Sequence, residues 1–429
     1  MNSTESKNDN KTGGIKHTFR SFRYRNYRLF FGGQGISLVG TWIQNIAMSW
    51  LVYDLTNSAL LLGIVGFAGQ IPTFFLTPFA GVLADRLNRR RILLVTQTLS
   101  MIQAFILAIL VLTGNVTVWH IIPLSFFLGL VNSFDMPTRQ SFVVDIVDKK
   151  EDLGNAIALN SSMFNGARLI GPSIAGILLA TVSEGICFLL NGLSYIAVII
   201  ALLAMKIEQK EKVNGKELIF NELKEGFVYA FGYKPIRYII FIIGLISLVG
   251  MPYTVLMPIF AKEILNGGPH TLGFLMGASG TGALIGAVYL ASRKELHGLG
   301  RNITIAVSIF GAGLILFSLS KSFWLSMFLM LVTGFGMITQ MASCNTLLQI
   351  IVDDEKRGRV MSFYTMAFMG MAPIGSLLAG SLAHIIGTPE TVLICGISCI
   401  IGSVVFAGKL PLYKGLTGTP DSRKRSIAK

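Results

Sequence analysis

Twelve runs of mainly apolar residues, each about as long as a bilayer is thick, leave this chain few folds to adopt. A hydrocarbon core of about 30 Å is crossed by roughly 20 residues of helix, because backbone in lipid must satisfy its own hydrogen bonds. The runs lie at 28–53, 59–83, 92–114, 118–140, 153–181 and 185–206, then at 236–265, 270–291, 303–319, 323–350, 358–386 and 390–408. With 52% hydrophobic and 14% charged side chains and a mean hydropathy of +0.64, the 429 residues carry more apolar surface than a soluble core can take. The expected fold is all-α and membrane-embedded.

The basic residues orient these spans. Of the 36 lysines and arginines, only Lys262 and Lys321 fall near one face, and Arg139 and Arg168 lie inside spans. The other 32 gather on the opposite face. The positive-inside rule makes that face cytoplasmic, so both termini are expected in the cytoplasm, as an even number of crossings requires. The net charge of +14 is then a lipid-facing charge spread over every cytoplasmic loop, and no nucleic-acid module accompanies it. No apolar leader with a cleavage site precedes the first span, which is expected to serve as the anchor. Cys187, Cys344, Cys395 and Cys399 all fall within spans, where a disulfide or metal role is not expected.

The chain also repeats itself at an offset of about 205 residues. IVD at 146–148 returns at 351–353, IGPSIAG at 170–176 returns as IGSLLAG at 374–380, and ADR at 84–86 has a weaker echo in ASR at 291–293. Such spacing predicts two six-helix bundles of equivalent topology, at 28–206 and 236–408. A cytoplasmic tail at 1–27, a linker at 207–235 and a tail at 409–429 complete the division. In the linker, Ile219, Phe220, Leu223, Phe227 and Phe231 follow helical spacing, which predicts an amphipathic helix at the interface.

The segment GVLADRLNRRR at 81–91 joins the second and third spans with a glycine, an acid four residues on and a basic cluster. Together with twelve spans in two halves, it resembles the signature loop of the major facilitator superfamily. Asn88 stands where that pattern has glycine. RNYRLFF at 25–31, WLVYDLTNS at 50–58, PTRQ at 137–140 and ARLIGPSIAG at 167–176 are similar to bacterial exporters of the enterobactin and macrolide efflux type. The resemblance implies secondary active export of a small amphiphile (a drug, macrolide or siderophore) by a bacterial inner-membrane protein, with protons as the coupling ion and lipid around it.

 The implied arrangement is therefore a monomer that couples export to proton entry. By the same resemblance, spans 1, 4, 7 and 10 line a central cavity, with Gln34, Gln44, Asn45, Asn132, Met251, Tyr253, Met257, Met337, Gln340, Met341 and Asn345 as substrate contacts.

The marked residues carry physical expectations of their own. Asp85 could approach the N-terminus of span 11 near Gly358, where free amides favour an anion, with Arg139 as a second partner. Such a contact, flanked by Gly81, Arg86 and Arg89, would latch the cytoplasmic side shut, whereas the arginines alone would only set topology. Charge inside a membrane is costly, which singles out Asp135, Arg168 and Asp54. Asp135 and Arg168 are expected to pair, either as a proton-exchanging device or as a fixed ion pair. Asp54 is expected to cap or turn the chain beside Thr56, Asn57 and Ser58, with proton uptake as the other reading, and Asp145 is expected to be solvated. Gly171, Pro172 and Gly176 resemble the helix 5 motif of proton antiporters and predict a bend or close helix contact. Gly273 and Gly277 have small-residue packing spacing. No phosphate-binding loop or catalytic constellation is present, so an ion gradient is the expected energy source and no cofactor or enzyme activity is expected. A nutrient importer on the same scaffold and a non-transporting membrane sensor are the alternatives.

Overall fold

A computed structural model describes residues 19–206, 227–293, 298–353 and 356–413, without the side chains at 78, 81–82 and 84–86. Helices α1 (Arg25–Thr56), α2 (Ala59–Arg86), α3 (Arg89–Leu112), α4 (Val118–Asp145), α5 (Lys150–Thr181) and α6 (Glu184–Ala204) form the first half. The second half comprises α7 (Lys234–Ile264), α8 (Pro269–Ser292), α9 (Leu299–Leu319), α10 (Phe323–Ile351), α11 (Arg357–Ile386) and α12 (Thr388–Ala407). Each corresponds to one expected run. Most of the predicted amphipathic helix, including Ile219, Phe220 and Leu223, lies outside the described residues, while Phe227 and Phe231 sit in a helical turn against Phe363.

Eleven of the described helices are long and apolar enough to cross a membrane on composition alone. Helix α1 has the length, at 32 residues, but is more polar because its inner face is hydrogen-bonded rather than greasy. Gln44 Nε2 donates to Gln103 Oε1 on α3 at 3.1 Å, and Gln44 Oε1 accepts from Asn191 Nδ2 on α6 at 2.7 Å. Interhelical bonds of this kind contribute about 0.6 kcal/mol each on average. They fix the rotation of α1 within its half.

Helix α1 packs on α5 and α6, α4 on α2 and α3, and α3 on α6; in the second half α10 packs on α8 and α9, and α12 on α9. The halves meet chiefly where α2 crosses α11 and α5 crosses α8. The repeat is visible in the membrane-facing surface: Trp119 and Trp324, each the second residue of α4 and α10, are 75% and 76% exposed at the same end of the bundle. Amphipathic indole rings at that level suit a membrane interface.

Helix α7 departs from a single regular run. Its α-helical stretches Lys234–Leu245 and Tyr253–Ile259 are followed by π-helical turns, Ile246–Gly250 and Phe260–Ile264. Pro252 has no amide to donate, so the ladder is carried past it by Met251 N–H donating to Ile246 O at 2.9 Å.

Candidate functional site

The two halves touch through glycine. At Gly176 in α5 a Cβ would stand 2.8 Å from the Gly273 Cα in α8, and at Gly63 in α2 it would stand 3.0 Å from the Gly380 Cα in α11. Gly176 and Gly380 occupy equivalent places in the sequence repeat, so one device closes both seams. These crossings lie toward the end that carries Asn57 and Lys262, called here the far end. The other end, with Arg89, Arg90, Lys149 and Arg357, is the basic end.

From the crossing, α5 and α8 stay in contact as far as Arg168 and Gly280. Beyond that point the wall opens. Ser161, Ser162 and Phe164 on α5 and Leu284 and Ile285 on α8 are exposed, and a Cβ at Gly166 or Gly358 would meet nothing within 4 Å. The cleft between the halves therefore narrows to an apex near Arg168 and opens at the basic end.

The far end carries a second fastening between α1 and α7. Lys262 Nζ lies 2.7 Å from Asp54 Oδ1 and 3.5 Å from Asn57 Oδ1, and the Tyr53 hydroxyl donates to Glu263 Oε1. Asp54 is thus not the expected cap. Ser58 Oγ accepts from Leu61 N–H at the start of α2, leaving the Asp54 carboxylate to reach across to the other half. An exposed pair of this type is worth only about 0–1 kcal/mol. Exchanging the charges one at a time, as Asp54→Lys or Lys262→Asp, should loosen far-end closure by no more than a few-fold, with recovery in the double exchange. Spin-label distances across the far end check this, and lack of recovery would mean that the pair does not matter.

At the basic end the segment after α2 has a defined geometry. Asn88 caps α3, its Oδ1 accepting from Arg91 N–H at 3.1 Å, which explains an amide side chain where the family pattern has glycine. Arg89 donates to both oxygens of Asp145 at 2.9 and 3.1 Å, so Asp145 is paired rather than merely solvated and Arg89 does more than set topology. Arg90 donates to the Leu202 and Leu203 carbonyls at the end of α6, where the helix dipole favours a cation. The expected latch at Gly81, Asp85 and Arg86 falls on side chains outside the description. Its other end, Gly358, faces open space. Nearby, burial pushes the Tyr229 phenol up to about 12, and its hydroxyl donates to Asp353 Oδ2 at 3.1 Å.

The expected pairing of Asp135 with Arg168 does not occur. Asp135 faces α3, where Thr96 Oγ1 and Gln97 Nε2 each donate to its Oδ1 at 2.8 Å, and Arg139, one turn along the same helix, stands 3.7 Å from its Oδ2. Arg139 is accordingly directed at Asp135. The two helices follow each other in sequence but scarcely touch, α4 packing on α2 and α3 and α5 on α1 and α8: Arg168 points across the cleft and donates to the Met337 sulfur on α10 at 3.7 Å. Gly171 and Pro172 are buried, with Gly171 against Trp42 of α1 and the Pro172 carbonyl beside Gly273. Gly277 sits over Ser173, as small-residue packing predicts.

The expected cavity residues divide. Asn45 is exposed, and Asn132, Met251, Met341 and Asn345 are half-buried. Gln34, Gln44, Tyr253, Met257, Met337 and Gln340 are buried, and Gln44 belongs to the interior of the first half rather than to the cleft. Two groups escaped sequence reasoning. Glu263 gave no signal because its partner lies 210 residues away. Ser161 and Asn165 share a helical face with Arg168 at spacings of four and three, a pattern that was there to read.

This two-half helical arrangement is the one found in solved transporters. The structure aligns with a bacterial homologue of the human lysosomal transporter Spinster at a TM-score of 0.71, with 11% identity over 95% of this chain and 100% of that one. The nucleoside transporter NupG aligns at 0.67 with 15% identity, over 90% and 98% of the two chains. In sequence, residues 16–423 match the family described as transmembrane secretion effector, a major facilitator family. The chain belongs to that family. It is a multi-pass membrane transporter, similar over 88% of its length to the staphyloferrin A transporter of Staphylococcus aureus, at 28% identity and 95% of that protein. The multidrug efflux pump Tap of Mycolicibacterium fortuitum is 25% identical, with 85% of this chain and 91% of that one aligned. For macrolide efflux protein A of Streptococcus pyogenes the figures are 23%, 89% and 96%.

Proposed function

We propose that this secretion effector exports small amphiphilic compounds from a bacterial cell by alternating access, with proton entry as the driving force. It works as a monomer in the plasma membrane, with the basic end and both termini cytoplasmic and the halves divided by the 207–235 linker. The observation that carries the reading is the cleft, sealed at the far end by two glycine crossings and open at the basic end; a buried acid, Asp135, lies within the first half against α3. The drug, macrolide and siderophore names of the relatives support an amphiphilic cargo. In the opposite state, Asp85 closes the basic end against the start of α11.

Inverted membrane vesicles with an acidic lumen test this against a panel of macrolides, dyes and siderophores. Uptake that a protonophore abolishes is the expected result. Uptake indifferent to the protonophore would remove the proton coupling, and no flux of any compound would remove export.

A further inference from the structure

Arg168 has a sulfur where a half-buried cation calls for an anion. Among the described residues its guanidinium contacts Met337 Sδ at 3.7 Å, and the ionisable side chain near enough to act on it is Tyr253, whose hydroxyl is engaged with Ser279 Oγ at 3.1 Å. The buried acid of the same half, Asp135, is occupied by Thr96, Gln97 and Arg139. A charge partly withdrawn from water within the membrane span and without a counterion is costly, and the cost is recovered when an anion arrives. Arg168 also stands at the apex of the cleft, where contact between α5 and α8 ends, with Asn165 and Ser161 on the same face leading toward the open basic end.

We propose that Arg168 is the anchor for a carboxylate on the transported amphiphile. This rests on the export reading and narrows its substrate class to organic anions. The planar fork of a guanidinium matches two carboxylate oxygens, whereas a thioether offers one weak acceptor. Met337 then serves as the apolar contact beside the anchor and yields its hydrogen bond to the incoming group.

The test uses purified protein in lipid nanodiscs and equilibrium dialysis of 1-naphthaleneacetate against its uncharged amide. The carboxylate should bind at least about tenfold tighter, the worth of one charge-assisted hydrogen bond. Arg168→Gln should bind the two alike. Met337→Glu, which places a carboxylate beside the guanidinium, should also abolish the preference while leaving the thermal melt unchanged or raised, so the test survives if Arg168→Gln fails to fold. Equal binding of both probes by the natural protein, binding of neither, or a preference that persists in Arg168→Gln would overturn the proposal. Binding needs no gradient, so these outcomes are separable from a failure of vesicle transport.

Discussion

Gly273→Val will hold the far end of the cleft open and reduce transport at least about tenfold. A Cβ at Gly273 would stand 2.7 Å from the Pro172 carbonyl oxygen and 2.8 Å from the Gly176 nitrogen. Both are backbone atoms of α5, so no rotamer change relieves the clash. Overpacking of this kind costs about 1–3 kcal/mol, and each 1.4 kcal/mol moves an equilibrium about tenfold. The strain falls only on the state in which α5 and α8 touch, so it shifts the population toward the far-end-open state. Spin labels at Asn115 and Lys321, exposed far-end residues of opposite halves, should move apart. Gly166→Val, on the same helix as Gly176, is the control, because a Cβ there meets nothing within 4 Å. Unchanged distance and unchanged transport in Gly273→Val would rule out the crossing as the seal.

Asp135→Asn should separate transport from its driving force. Asparagine keeps the size and one acceptor oxygen for Thr96 and Gln97 but has no proton to exchange, so gradient-driven accumulation should fall to the level of passive counterflow. Counterflow itself should persist, which distinguishes lost coupling from a collapsed fold. Drug-driven proton flux as large as in the natural protein would exclude Asp135 as the carrier.

The helices were legible because lipid leaves backbone no other solution, and every apolar run corresponds to one. Partnerships between side chains were not. Asp135 and Arg168 lie on helices consecutive in sequence, but packing decides the partner: α4 lies on α2 and α3 and α5 on α1 and α8, so the two charges face different neighbours. Asp54 looked local, beside a polar turn, whereas its partner Lys262 lies 208 residues on. The glycines were legible as close-packing residues, yet only the fold pairs Gly176 with Gly273 and Gly63 with Gly380.

The polarity of α1 bears on how the protein is made. Its buried amide Gln44 finds one partner on α3, 59 residues on, and the other, Asn191, on α6, 147 residues on, so during synthesis the second bond stays unmade until the last helix of the half is present. Arginines 20 and 23 just ahead of it and 25 and 28 in its first turn are the charges that bias its orientation meanwhile. The first half becomes a folded unit only when its last helix arrives.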